Sequence, residues 1–285
     1  MFSFVSRSTA PRRVLTGGVM ACVAAAGVAL WPALAAQDIS VPDFSSAIVG
    51  WSAQSPNFIS PQNGPHQITN DPTHPYRPAG RGEATTFRIA DLTNPILQPW
   101  AREELRKINE RILAGKPGYT VSVSCRALGV PEFLLSPVQP LYFIQTPKEV
   151  VMIHQMDQQT RHVYLNVPHS ARLTPSFYGE SVGHYESDTL IVDTIGLNDK
   201  TWIDNFRTPH TSKLHVVERF HLSDGGKSLE VNVHVEDSDA FTTPWDTIQR
   251  FDRVELGPMI EAPCAENNLN VGDIEPMPQA EKFDF

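Results

Sequence analysis

The sequence predicts a mainly β fold, an antiparallel meander that closes into a barrel or a lipocalin-like cup. Three observations carry this. From about Leu141 onward, apolar and polar residues alternate with a period of two in one short run after another. Most of the runs are joined by segments long enough only to turn, which suits antiparallel neighbours. Between two of the runs lies Ser223-Asp224-Gly225-Gly226-Lys227, a strong hairpin signal.

The elements follow in chain order. Residues 1–35 read as an export signal. Arg7, Arg12 and Arg13 form a basic start, an alanine-rich apolar run extends from Val19 to Leu34, and Ala33-Leu34-Ala35 has the form of a cleavage site. Arg12-Arg13 hints at twin-arginine export, while the following Val14-Leu15 fits general secretion as well. The mature chain is then expected in the periplasm or outside the cell, with cleavage near Ala35. No later stretch is apolar enough to predict a membrane span.

Residues 36–94 are expected to form an extended arm, because Pro56, Pro61, Pro65, Pro72, Pro75 and Pro78 each remove a backbone donor and break any period. A single β-rich domain, 95–285, follows and begins with one helix at about 99–114. Pro99 suits a first helical turn, and Ala101, Leu105, Ile108 and Ile112 make one apolar stripe. Glu103 precedes Lys107 by four, Gly115 ends the helix, and Pro117 prevents its resumption. The expected strands are Glu149–Met156, Arg161–Val167, a short one near Tyr178–Tyr185, Asp188–Ile195, Leu214–Leu222, Leu229–Glu236 and Thr247–Glu255.

Composition narrows the function. The 285 residues are 41% apolar and 19% charged, which is a globular balance. The formal net charge is -9, and loss of the signal's three arginines takes it to -12. So acidic a chain is not expected to bind nucleic acid, which requires a basic face. Gly225-Gly226 is a turn rather than a phosphate loop, and no G-x-S-x-G elbow occurs, so neither a nucleotide cofactor nor serine hydrolase chemistry is expected. Two cysteines remain after the signal, Cys125 and Cys264. In an oxidising compartment an even pair suggests a disulfide, and two buried thiols are the alternative.

The 214–236 hairpin carries the sharpest site prediction. Leu229, Val231, Val233 and Val235 share one face of its second strand; Leu214, Val216, Glu218 and Phe220 share one face of its first. The apolar faces must coincide, so Glu218 points inward. A buried carboxylate is costly unless it is paired or used. It is either a general acid or base or a structural partner of an arginine. The polar connection before it carries Asp204 and His210, expected as an orienting carboxylate–histidine pair beside Glu218, with turn and capping chemistry as the alternative for Asp204. His184 and Asp193 are second choices. His215 and Arg219 face outward opposite Glu230, Asn232 and Glu236 and read mainly as a solvated charge ladder. A metal site built from His210, His184 and Glu186 is the competing use of these residue types. His215 and Glu218, an odd interval apart, cannot both ligate from one strand.

One further pattern stands out. Ser181-Val182-Gly183-His184-Tyr185-Glu186-Ser187-Asp188-Thr189-Leu190-Ile191-Val192-Asp193-Thr194-Ile195-Gly196 continues through Asn198-Asp199, Thr208-Pro209-His210-Thr211 and Leu214–Phe220. Val231-Asn232-Val233, Phe241-Thr242-Thr243-Pro244-Trp245, Gly129-Val130-Pro131 and both cysteines also fit. From Asn94 to Cys264 this resembles a large group of exported bacterial proteins of mostly unassigned function. Ser187 stands where that group usually has glycine, and Ser238 where it often has proline. The resemblance implies an exported protein and favours the disulfide; it implies no reaction.

Three functions are therefore in play. The first is a periplasmic, metal-free and cofactor-free acid–base enzyme of the lyase, dehydratase or isomerase type. It would act on a small, largely apolar or aromatic molecule, with Glu218 as acid/base, His210 as proton partner and Asp204 orienting it. The second is a non-catalytic barrel that binds a small ligand. The third is a metal-dependent hydrolase using His210, His184 and Glu186.

Overall fold

The computed structural model describes residues 41–45, 49–77, 87–116, 125–135 and 140–263. The expected export signal at 1–35 and Cys264 lie outside them. The described residues all belong to the compact unit Ile39–Phe285. Among them, no helix is long and apolar enough to cross a membrane.

Among the described residues, nine strands close into a barrel in sequence order. They are β1 (Val49–Ala53), β2 (Leu141–Gln145), β3 (Glu149–His154), β4 (Gln159–Leu165), β5 (Glu180–Glu186), β6 (Thr189–Ile195), β7 (His215–Ser223), β8 (Ser228–Glu236) and β9 (Trp245–Glu255). The expected mainly β barrel is thus present. Two features differ from the simple meander. The Pro-rich arm contributes β1, which pairs with β9 from Val49↔Glu255 to Ala53↔Phe251 and meets β2 at Trp51↔Leu141, closing the ring. A five-residue run is too short for its period to stand out in such a segment. Second, β4 and β5 run parallel. A closed ring with an odd number of strands cannot alternate direction throughout, so at least one neighbouring pair must be parallel. Residues 166–179 supply the longer crossover that a parallel pair requires.

Alternation decides what faces the core. Val216, Glu218 and Phe220 of β7 and Leu229, Val231, Val233 and Val235 of β8 are all buried, as expected, with Glu218 opposite Val233. Trp51, Phe143, Met152, Val163, Val192 and Phe251 are buried from the other strands. Gly183 sits at a close approach within the wall: a Cβ there would lie 2.7 Å from the Ile191 carbonyl oxygen and 2.9 Å from Val163.

The helix α1 spans Pro99–Leu113 and buries Ala101, Leu105 and Ile112. Asn109, rather than Ile108, completes the buried face. Its amide clasps the Ala90 backbone from both sides, accepting from the N–H at 2.9 Å and donating to the carbonyl at 2.8 Å, which ties the arm to the helix. Lys107 pairs with Glu104 instead of Glu103, because Arg106 takes Glu103 together with Glu110. The C-terminus closes as a Schellman motif: Gly115, at φ +74°, donates to the Ile112 carbonyl and Lys116 to that of Arg111.

Candidate functional site

Glu218 is fully buried, and its partner is Arg161 of β4. The guanidinium donates through Nη1 to Oε1 at 2.9 Å and through Nη2 to Oε2, forming a bidentate fork. Its other bonds run to Thr194 Oγ1 at 2.7 Å and Ser181 Oγ at 3.1 Å, and those two hydroxyls meet at 2.8 Å. Four strands thus contribute to one buried polar knot. Of the two readings of Glu218, the arginine-bonded one describes its surroundings. Both carboxylate oxygens are engaged by Arg161.

The expected Asp204–His210 pair does not form. Asp204 is buried and accepts from the backbone N–H of Phe206 at 2.9 Å, from that of Thr208 at 3.2 Å and from the Thr208 hydroxyl at 2.8–2.9 Å. This is turn-capping chemistry. Burial pushes its carboxyl up to about 6 despite those donors. His210 donates from Nδ1 to the Thr211 carbonyl at 3.0 Å and accepts at Nε2 from the Thr201 hydroxyl at 2.9 Å. Both ring nitrogens are spent locally, and burial lowers the ring's pKa. Neither residue is bonded to Glu218. Nearby, Glu132 is buried with an unpartnered Oε2, and burial, followed by the charge of Asp204, raises its carboxyl well above the ordinary range.

His184 and Glu186 lie exposed on the outside of β5, bonded to each other at 2.9 Å. His210 is buried in its own loop, so the three proposed metal ligands do not converge. Among the described residues no group of three His, Cys, Asp or Glu side chains is arranged to hold a metal ion. The expected ligand set of a metal-dependent hydrolase is therefore not assembled.

Asp193, the remaining candidate, sits at the centre of a feature that reading the strands one by one missed. On the outer wall three imidazoles and four carboxylates alternate in an unbroken line. Glu180 Oε1 meets His169 Nδ1 at 3.1 Å, and His169 Nε2 meets Asp193 Oδ1 at 3.0 Å. The same oxygen meets His215 Nε2 at 3.1 Å, and His215 Nδ1 meets Glu236 Oε2 at 3.4 Å. Glu236 Oε1 then meets His234 Nε2 at 3.0 Å, and His234 Nδ1 meets Asp246 Oδ1 at 2.7 Å. The line crosses β5 to β9 and takes in His169 from the crossover. Each of the three rings thus has a carboxylate oxygen at both of its nitrogens. Burial alone would lower the His234 ring, but Asp246 and Glu236 outweigh it and hold it above its ordinary value. His234 and then His215 hold Glu236 low.

The middle of this line opens into a crevice of about 470 Å³. Its lining includes the polar His215, Glu236, Lys213 and Gln98 and the apolar Phe241 and Pro244. That volume falls in the range of small-ligand clefts. The signal for the line was partly in the sequence: alternation puts Asp193, His215, His234 and Glu236 on outer faces. Their adjacency depends on strand register. Comparison with known proteins found no family model, no curated protein and no solved structure that matches this chain.

Proposed function

We propose that this is an exported protein of the resembled group that binds a small molecule in the His215–Glu236 crevice and performs acid–base chemistry on it, of the lyase or isomerase type. The observation that carries the reading is the placement of His215: an imidazole held between two carboxylates at the wall of a ligand-sized crevice. Asp193 accepts from Nε2, which leaves Nδ1 and the Glu236 carboxylate as the groups that exchange a proton with the ligand. The 3.4 Å contact between them is the longest link in the line and the one a ligand displaces most readily. The ligand's apolar or aromatic body rests on Phe241 and Pro244, and its reacting polar group meets His215. Glu218 becomes a structural residue in this reading.

The test is a screen of small hydroxy acids, cyclic ketones and aromatic alcohols against the mature chain, followed by NMR for both binding and turnover. Backbone shifts at Lys213, Phe241 and Thr243 are expected on binding. His215→Gln is expected to cut turnover by about 10²-fold or more while binding weakens far less, as loss of a proton-transfer group should. Undiminished turnover in that variant, or binding shifts elsewhere, would sink the assignment. Binding with no turnover of any bound compound would move the protein to the non-catalytic class.

Export also calls for the Cys125–Cys264 disulfide. The Gln159 side chain accepts from Leu128 N–H at 3.0 Å and donates to the Arg126 carbonyl at 3.1 Å. Two residues earlier, Asp157 N–H donates to the Ala262 carbonyl at 2.8 Å. The stretches beside the two cysteines thus meet at one turn. The intact mass of the secreted protein is expected two hydrogens light, returning to the full value on reduction; an unchanged mass would refute the bond.

A further inference from the structure

The parallel junction leaves a seam in the barrel wall. β4 and β5 pair only at Val163↔Ser181, Tyr164↔Val182 and Leu165↔Gly183. Residues 159–162 of β4 therefore have no partner on β5, and the crossover returns across the gap. There a second crevice of about 340 Å³ opens. Its lining includes the buried Arg161 and Ser181 of the polar knot, the half-buried Tyr178, and the exposed Tyr164 and Arg172.

Its chemistry differs from that of the first crevice. Arg161 makes four hydrogen bonds, against five N–H donors on a guanidinium. Arg172 is exposed and forms no ion pair or hydrogen bond among the described residues. Glu180 also lines the crevice, but its carboxylate is already bonded to the Ser170 N–H, the Ser170 hydroxyl and His169, and the first two of these donors hold it low. Tyr164 is 48% exposed, and its ring stacks on His162 with centroids 6.5 Å apart and planes 21° apart. An unspent arginine and an exposed aromatic face thus border one space on an otherwise acidic protein. A guanidinium fork matches a carboxylate in bidentate geometry, and an aromatic platform favours a flat ring.

We propose that the seam crevice is a binding site for a single-ring aromatic carboxylate. The carboxylate pairs with Arg172 at the mouth, and the ring lies against Tyr164. The site is separate from the His215–Glu236 crevice and does not depend on the function proposed there.

Benzoate is the probe, titrated into the ¹⁵N-labelled mature chain. Saturable shifts are expected at residues 160–164 and 172–181, and His169, which shares Glu180 with the crevice, should report occupancy through its ring resonances. Arg172→Gln should weaken binding about tenfold, and Tyr164→Ala several-fold. Both side chains are exposed, so both variants should fold as the parent does. Benzyl alcohol, which keeps the ring without the charge, should bind no better than the Arg172→Gln variant binds benzoate. The proposal is overturned by the absence of saturable shifts up to about 10 mM benzoate, by shifts centred on other residues, or by Arg172→Gln binding within twofold of the parent.

Discussion

Replacing Glu218 by glutamine is expected to lower folding stability by about 3–5 kcal/mol, measured by urea unfolding at neutral pH. The reason is what remains behind. Arg161 is 1% exposed and would keep its full charge in the barrel core, with only Ser181, Thr194 and a neutral amide around it. Removing one partner of a buried pair leaves an uncompensated ion, which costs far more than the pair itself contributes. The companion experiment replaces both ends, Arg161→Met with Glu218→Leu. That double variant should recover most or all of the loss, because the charge and its desolvation leave together. A single variant less than about 1 kcal/mol below the parent would show that Arg161 does not depend on the Glu218 carboxylate. If the single variant fails to fold, the double variant still decides. This result also separates structure from catalysis: His215→Gln should leave stability nearly unchanged while Glu218→Gln should not.

The second large effect concerns pH. The Asp204 carboxyl is pushed up to about 6 by burial, against 3.8 ordinarily. The folded protein therefore holds that proton more tightly than the unfolded chain does. Its contribution to stability is fully present below the unfolded value and is lost as pH rises through about 6. The size follows from the gap, ~3 kcal/mol. Glu132, raised by burial and by the Asp204 charge, acts in the same direction. Asp204→Asn retains an acceptor for the Phe206 and Thr208 amides but has no proton to lose. The stability of Asp204→Asn relative to the parent should accordingly increase by ~2 kcal/mol between pH 4 and pH 7. A difference that stays flat across that range would mean that Asp204 is ionised in the folded state throughout. Comparing the two proteins at each pH cancels the surface carboxylates common to both.

Much of the fold is set by local pattern. The alternation of Leu229, Val231, Val233 and Val235 specifies a strand with one buried face, and the Asp224-Gly225-Gly226 turn returns the chain beside it. Pairing those faces is enough to turn Glu218 inward, since a one-residue slip would put four aliphatic side chains in water. The helix is equally local: Pro99 opens it, its apolar stripe recurs at helical spacing, and Gly115 closes it. The same reasoning misses β1, whose five residues hold too few alternations to be seen among prolines. It also passes over Asn109, a polar residue buried because the arm's Ala90 backbone needs both a donor and an acceptor at that point.

The site divides along the same line. That Glu218 faces inward and that Asp193, His215 and Glu236 face outward is a property of each strand taken alone. That Arg161 meets Glu218 is not, because β4 and β7 are separated by two strands and their inward side chains meet only inside the closed barrel. Asp204 and His210 lie six positions apart yet do not pair, since each finds nearer partners in its own turn. The line from Glu180 to Asp246 exists only because β5 to β9 stand side by side in register, with the crossover bringing His169 across to Glu180 and Asp193. The seam follows from the count of strands. Nine cannot alternate around a ring, and a strand number becomes a constraint only when the sheet closes. Most of the strands, their faces and the inward carboxylate were therefore legible in the chain, because they depend on residues a few positions apart. The partner of that carboxylate, the line of histidines and both crevices arise on folding, because closure and register bring together groups that no local period relates.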